Sequence, residues 1–135
     1  MTQEEKDLLF KDLCGRLPYG IKCHIGDNKP YTLSSVSNDY DGTIVRFKEQ
    51  KNGFNMEVYI SECIPYLFPL SSMTDEQKKE LHDELIELEL KALNDEISSI
   101  EAVRFEINYY LKNHFDYNGL IDKGLAIDST GKNIY

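Results

Sequence analysis

The residue types that bind metals or act as nucleophiles are scattered along this chain, not grouped at the spacings that such chemistry needs. The three histidines, His24, His82 and His114, are far apart, and none belongs to an HExxH or ExxH motif. Cys23 adjoins His24, but neighbouring side chains of a strand point to opposite faces and do not readily share one metal ion. The spacing therefore predicts no metal site and no cofactor.

The sequence DYDG at residues 39–42 has the composition of part of a calcium loop. With Gly42 at the sixth position of such a loop, Lys48 would occupy the twelfth, where calcium requires a bidentate Glu. A turn that uses Asp and Gly for local backbone reasons is therefore favoured. The chain also has no GxSxG, P-loop or GxGxxG motif, and nothing selects a pair such as Cys63 and His114 as nucleophile and base. No catalytic residue is predicted, although a small enzyme without a recognisable motif stays an open alternative.

The charge of the chain is strongly negative and unevenly distributed. The net charge is −9, of which residues 1–70 contribute −2 and residues 71–135 contribute −7. Because acidic surfaces repel phosphate, we expect no direct binding of nucleic acid and no association with anionic membranes. Residues 75–106 hold eleven acids against four bases. This bias fits either an ordinary solvated helix face or a surface that imitates nucleic acid and occupies a basic partner.

The first element that the sequence predicts is an N-terminal helix. Thr2 and Glu5 have the spacing of a capping box, and an apolar stripe that includes Leu9 and Leu13 follows. Gly15 and Pro18 are expected to end the helix, which would then cover residues 3–14.

Four strand-like segments follow, and they predict an antiparallel meander. The segments lie near residues 21–25, 31–36, 43–49 and 54–60, with short turns between them. Asn52-Gly53 favours a type I′ hairpin turn, because Asn and Gly readily adopt a positive φ. The third and fourth strands should pair through this turn and bury Val45 and Phe47 beside Met56 and Val58.

The rest of the chain predicts a crossing segment and then a helical half. Pro65 and Pro69 argue against a central strand, so residues 63–73 are expected to cross from the sheet to the helices in an extended form. Thr74 is the expected N-cap of an acidic helix, with Gln77 completing a capping box. The apolar stripe of this helix consists of Leu81, Leu85, Leu88 and Ala92, widened by Ile86 and Leu93. A second helix near residues 97–111 is expected, and Asn94-Asp95 leaves open whether it continues the first.

The predicted fold class is therefore α+β, with an N-terminal helix, a four-stranded antiparallel meander and an acidic two-helix C-terminal half packed on the sheet. One domain of 135 residues is expected. Its parts are a helix at 1–17, the sheet at 20–62, the crossing segment at 63–73, the helical half at 74–128 and a frayed tail at 129–135.

A candidate protein-contact surface is expected in the acidic helices and in the segment that follows them. Carboxylates there would attract a basic partner, and Tyr is enriched where proteins meet. The candidate residues are Glu84, Glu87, Tyr109, Asn113, His114, Phe115, Asp116 and Tyr117.

Two stretches of the chain carry a resemblance to known proteins. These are PYLFPLSSMT at residues 65–74 and HFDYNGLIDKGLA at residues 114–126, together with the opening MTQEEKDLL. With these motifs the chain resembles a group of small uncharacterised proteins from Bacteroides-type gut bacteria and their phages or mobile elements. The resemblance covers most of the chain and implies an intracellular accessory protein, but it implies no activity and no catalytic residues.

The expected function is that of a non-enzymatic protein-interaction or accessory module of a phage or mobile element. The alternative is an acidic DNA-mimic inhibitor of a nucleic-acid-binding protein. The partner is expected to be an unidentified protein, and a homodimer is possible. The polar, acidic start of the chain is unlike a secretory signal, and three cysteines without a CxxC pair do not form a disulfide framework. A cytoplasmic location is therefore expected.

Overall fold

The computed structural model describes residues 1–27, 29–48 and 56–135. The chain is α+β, and short 3₁₀ turns precede β1, β5 and α2. The helices and strands, in chain order, are α1 (Gln3–Arg16), β1 (Lys22–His24), β2 (Tyr31–Asp39), β3 (Gly42–Phe47), β4 (Glu57–Tyr59), β5 (Ile64–Pro69), α2 (Asp75–Leu93), α3 (Ile100–Lys112), β6 (Phe115–Asp116) and β7 (Ile127–Asp128).

Helix α1 begins at the predicted capping box and ends two residues later than predicted. The Thr2 hydroxyl accepts a hydrogen bond from the Glu5 backbone N–H, and the Glu5 carboxylate accepts one from the Thr2 backbone N–H. Gly15 stays helical and lies beside Leu111 of α3; a Cβ added at Gly15 would make an ordinary van der Waals contact with that leucine, at 3.5 Å. The chain leaves the helical conformation at Gly20, whose φ is +69°.

The first four strands form the predicted antiparallel meander. Strand β3 pairs with β4 in the register that places Val45 opposite Val58. The Phe47 backbone N–H donates to the Met56 carbonyl at 3.0 Å. Val45 and Phe47 are buried as predicted. The predicted Asn52-Gly53 turn lies outside the described residues.

The prediction that residues 63–73 only cross from the sheet to the helices is wrong, because β5 is an interior strand of the sheet. Within the described residues the sheet has seven strands in the order β4-β3-β2-β1-β5-β6, and β7 also pairs with β5. Strand β5 runs antiparallel to β1 but parallel to β6 and β7. The sheet is therefore mixed and larger than the predicted four-stranded meander.

The spacing of the two prolines explains why an interior strand accommodates them. Successive backbone N–H groups of a strand point to opposite edges, so Pro65 and Pro69 lack their N–H on the same edge. Phe68 uses the other edge, where its N–H donates to the His114 carbonyl at 2.8 Å. On the proline edge the ladder instead uses the Leu67 carbonyl, which accepts a hydrogen bond from the backbone just after β7. Neither proline therefore removes a hydrogen bond that the sheet requires.

Helix α1 covers the sheet and supplies the centre of the core. The largest cluster of buried apolar side chains joins α1, β1, β2, β3, β5 and the loop before β7; it includes Leu9, Leu13, Ile21, Cys23, Leu33, Val45, Leu67, Leu120 and Leu125. Full burial of one such side chain stabilises the fold by about 1.5–3 kcal/mol.

Helices α2 and α3 form a hairpin, and only its base lies against the sheet. The break at Asn94-Asp95 separates the helices, with Asp95 in the left-handed region at φ +58°. Leu81 of α2 joins a second cluster with Phe68 of β5 and Phe115 of β6. Beyond this base, α2 packs chiefly against α3. The predicted packing of both helices on the sheet therefore holds only at the base.

The prediction of a frayed tail at residues 129–135 is also wrong. Ser129 is buried, and its backbone N–H and side-chain hydroxyl both donate to the Leu67 carbonyl. Tyr135 packs its ring on His114. Leu67 is more than sixty residues away from Ser129, and His114 lies in a different part of the fold from the chain segment of Tyr135. Local composition therefore did not indicate either contact.

Candidate protein-contact surface

The structure does not gather the eight predicted contact residues into one surface. Tyr109 and Asn113 line a groove between α2 and α3, and Asn113 and His114 line a second groove that adjoins it. The Asn113 amide donates to the Tyr109 carbonyl at 2.9 Å and ends α3. These three residues therefore sit at the base of the hairpin, close to the sheet.

Phe115 and Asp116 are buried, so neither contributes to an exposed contact surface. Phe115 packs in the cluster at the base of the hairpin. The Asp116 carboxylate accepts hydrogen bonds from the backbone N–H groups of Leu120 and Ile121, at 2.8 and 2.9 Å. Asp116 thus closes the turn before β7, a structural role that the sequence around it did not indicate.

Tyr117 is half-buried and belongs to an aromatic stack. Its ring lies nearly parallel to that of Tyr110, with 6.0 Å between the centroids, and the Arg16 guanidinium lies 5.8 Å from the Tyr117 centroid. Burial and a hydrogen bond to Glu106 raise the pKa of Tyr110 to about 12. The side chains of both tyrosines therefore take part in packing at α3.

His114 is the predicted site residue with the most unusual environment. Its backbone is left-handed, with φ +63°, which is uncommon for a residue other than glycine. Its ring stacks on Tyr135 at 3.8 Å between centroids, and its Nδ1 is buried without a hydrogen-bond partner among the described residues. Burial, together with the positive charges of Arg16 and Lys22, lowers the pKa of His114 to about 4.

These features of His114 predict a loss of stability in mild acid. The fold favours the neutral imidazole, whereas the unfolded chain binds a proton near pH 6.5. The stabilisation that comes from the neutral imidazole should therefore be fully present above pH 6.5 and should be lost as the pH falls towards 4. Because the ring is partly exposed, we expect the free energy of unfolding to fall by about 2 kcal/mol, which is less than the full pKa shift would correspond to. Urea unfolding at pH 7.0 and pH 4.5 measures it.

His114→Asn is the matched control, because asparagine tolerates a left-handed backbone and does not titrate. Carboxylates elsewhere in the chain act equally in both proteins, so the difference between their pH profiles isolates His114. Equal losses of stability in the two proteins between pH 7.0 and 4.5 would show that His114 is not held neutral by the fold.

The groove beside His114 is lined by amides, a hydroxyl and a lysine. Its polar lining comes from Ser72, Gln77, Lys112 and Asn113. In the described part of the chain no group of three or more His, Cys, Asp or Glu side chains could hold a metal ion.

The two predicted carboxylates on α2 have different surroundings. Glu87 is exposed and lies 3.6 Å from Lys91, one turn further along the helix. Glu84 is half-buried. At 100° per residue, Glu84 lies nearer the side of α2 that packs on α3, and Glu87 lies nearer the outer side.

The outer side of α2 carries large exposed apolar side chains, and two of them, Ile86 and Leu93, are predicted from the sequence to widen the stripe of Leu81. Leu93 is 80% exposed, Leu90 is 55% exposed and Ile86 is 43% exposed. These three residues, called the outer stripe below, follow the i, i+4, i+7 spacing of one helix face. They lie roughly 130° around α2 from the stripe of Leu81 and its successors, which packs inward.

The signal for the outer stripe was present in the sequence. One helix of 19 residues carried two apolar stripes, although a helix that is covered on one side buries only one. Ile86 and Leu93 are predicted only as a widening of the first stripe, and the prediction does not include Leu90.

Helix α3 also has an exposed apolar stripe, but its surroundings differ. Ile100, Val103 and Ile107 are exposed, and the stripe ends at Leu111, which is buried against Gly15 of α1. Beside it lie charges of both signs, including an ion pair between Arg104 and Glu101 at 3.3 Å. These three exposed residues are called the α3 stripe below. The charged side chains beside them are therefore not predominantly of one sign.

None of the helices in the described residues is long and apolar enough to cross a membrane. Comparison of the chain with models of protein families, with curated proteins and with solved structures finds no significant match.

Proposed function

We propose that this protein is a non-enzymatic protein-interaction module that binds a partner through the outer side of α2. The exposure of the outer stripe, Ile86, Leu90 and Leu93, carries the proposal. Single exposed apolar residues are ordinary on protein surfaces, whereas a contiguous set rimmed by polar residues is typical of an interaction site.

The position of the outer stripe supports a role in binding over a role in folding. Helix α2 buries its inner stripe against α3, and its first turn is held by the Thr74–Gln77 capping box. Removing Leu90 or Leu93 from water therefore requires a second molecule. Burial of one such side chain at an interface contributes about 1.5–3 kcal/mol to binding before the costs of association are subtracted.

The acidic DNA mimic, which is the alternative, is less well supported by this surface. A mimic presents carboxylates at regular intervals along a face, as phosphates are presented on a duplex. On α2 the apolar outer stripe occupies the middle of the exposed side. A partner that recognises charge alone would leave that stripe in water.

Capture from a Bacteroides-type cell lysate tests the proposal. We expect the immobilised wild-type chain to recover a specific partner, and the double variant Leu90→Ser/Leu93→Ser to lose it. These side chains are exposed, so the free energy of unfolding of the variant should lie within about 0.5 kcal/mol of that of the wild type. Tyr40→Ser is the matched control, because Tyr40 is a fully exposed apolar residue in the β2–β3 turn, far from α2 in sequence.

Two results would contradict the proposal. One is a partner that the Leu90→Ser/Leu93→Ser variant still captures as well as the wild type does. The other is the recovery of no specific partner by folded wild-type protein, with foldedness checked by thermal unfolding in the same buffer.

A further inference from the structure

The outer stripe is narrow, and its width limits what can cover it. Residues 86–93 span about 10 Å along the axis of α2, at 1.5 Å per residue. The three apolar side chains occupy a single face and leave polar side chains on both sides of it. A surface of this shape matches the apolar stripe of one partner helix, which also repeats at i, i+3, i+4 and i+7.

Carboxylates lie on both borders of the outer stripe. At 100° per residue, Asp83 and Glu87 lie along one border, and Glu89 lies along the other, which also carries the exposed His82. All three carboxylates are exposed. Glu87 has Lys91 as an ion-pair partner at 3.6 Å, but an exposed pair of this kind contributes little and is readily exchanged.

These borders make a second copy of the chain a poor occupant. When two identical helices pair around a two-fold axis, the same surface patch of each copy meets the other. The acidic borders would then face each other and repel, in a chain that already carries a net charge of −9. Anionic lipid and nucleic acid are disfavoured by the same repulsion.

From this shape and this charge we infer that the outer stripe binds a basic amphipathic helix of another protein. The inference rests on the proposed function and names the chemistry of the partner. Apolar residues of the partner helix cover Ile86, Leu90 and Leu93, and its flanking Lys or Arg side chains pair with Asp83, Glu87 and Glu89. Charge sets the orientation and the rate of association, and apolar contact supplies most of the affinity.

A synthetic peptide tests this inference without knowledge of the natural partner. The probe is an 18-residue Lys/Leu peptide with leucines on one helical face; a scrambled peptide of the same composition and a Glu/Leu peptide of the same pattern serve as references. We expect the Lys/Leu peptide to bind the full chain at least tenfold more tightly than the scrambled peptide, and the Glu/Leu peptide not to bind. Titration calorimetry at two salt concentrations measures the affinities.

Matched variants locate the binding face. Ile86→Ser/Leu90→Ser should weaken binding of the Lys/Leu peptide at least tenfold, and Glu87→Lys should weaken it less. Val103→Ser/Ile107→Ser likewise removes two exposed apolar side chains, from the α3 stripe, and should leave the affinity unchanged. Thermal unfolding of each variant confirms that it is folded.

Several outcomes would overturn the inference. Equal binding of the Lys/Leu and scrambled peptides would show attraction by net charge only. Equal losses in the α2 and α3 variants would show that the outer stripe is not the site, and binding that disappears in high salt and ignores Ile86→Ser/Leu90→Ser would favour the DNA mimic. If these peptides fail while capture of a cellular partner still requires Leu90 and Leu93, the proposed function stands and the inference about the partner's chemistry falls.

Discussion

Replacing Arg16 with methionine is expected to destabilise this protein by about 3–5 kcal/mol, because it leaves a buried carboxylate without its counter-charge. Arg16 and Asp12 lie one turn apart on α1, and both side chains are fully buried. The Arg16 Nε donates to Asp12 at 2.6 Å. Methionine keeps much of the arginine's length and apolar stem, so the expected cost comes chiefly from the lost charge and hydrogen bonds.

The Arg16 guanidinium also joins α1 to the far end of the chain. Its Nη2 donates to the Phe115 carbonyl at 2.7 Å, and the Asn118 amide donates to Asp12 at 2.9 Å. Strand β6 and the turn after it are therefore anchored on α1 by this network. Removing Arg16 should loosen the Phe115–Asn118 segment as well as α1, which hydrogen exchange of its backbone amides will show.

A double-variant cycle separates the charge from the packing. Asp12→Ala combined with Arg16→Met removes both charges, so its loss of stability should be smaller than the sum of the two single losses by about 2–3 kcal/mol. Arg104→Met is the matched control, since Arg104 forms an exposed ion pair with Glu101 and should cost less than about 0.5 kcal/mol. A cost of Arg16→Met no greater than that of Arg104→Met, in urea unfolding, would contradict the prediction.

The parts of the fold that depend on near neighbours could be predicted from the sequence. The capping boxes Thr2–Glu5 and Thr74–Gln77 both form, because each involves residues three positions apart. The pairing of β3 with β4 also follows from alternation, which places Val45 on the buried face opposite Val58.

The parts of the fold that depend on distant partners could not be predicted from the sequence. Strands β6 and β7 have two residues each, too few to show a period of two, and they acquire their conformation by pairing with β5. The prolines of β5 suggested a loop, because only the pairing of its neighbours reveals that both fall on the edge where no N–H is needed. The break between α2 and α3 was visible at Asn94-Asp95 but could not be decided by composition.

The residues of the candidate site were likewise predicted only in part. Glu87 was found from the acidic bias of its helix, and it borders the outer stripe. Ile86 and Leu93 were predicted to widen the stripe of Leu81, whereas both are exposed, because the sheet covers little of α2. Phe115 and Asp116 were named as contact candidates, and the pairing of β6 with β5 contributes to their burial.

Replacing Tyr135 with alanine is expected to cost about 3 kcal/mol, although residues 129–135 were predicted to be frayed. The Tyr135 hydroxyl lies between β1 and β5, where it accepts from the Lys22 backbone N–H at 3.0 Å and donates to the Tyr66 carbonyl at 2.8 Å. Burial accordingly raises the pKa of this hydroxyl well above its ordinary value. Its ring stacks on His114, and both contacts are lost in the alanine variant.

The two contributions of Tyr135 can be separated, because phenylalanine keeps the ring and removes only the hydroxyl. Tyr135→Phe should cost about 1–2 kcal/mol, the usual net contribution of two hydrogen bonds, and should release the Lys22 amide to hydrogen exchange. Lys132→Ala changes an exposed side chain of the same segment and should cost less than about 0.5 kcal/mol. If Tyr135→Ala unfolds like Lys132→Ala and the Lys22 amide stays protected, the hydroxyl does not bridge the two strands. A Tyr135→Phe variant as unstable as Tyr135→Ala would instead place the whole contribution in the hydroxyl, because the ring it retains would then add nothing.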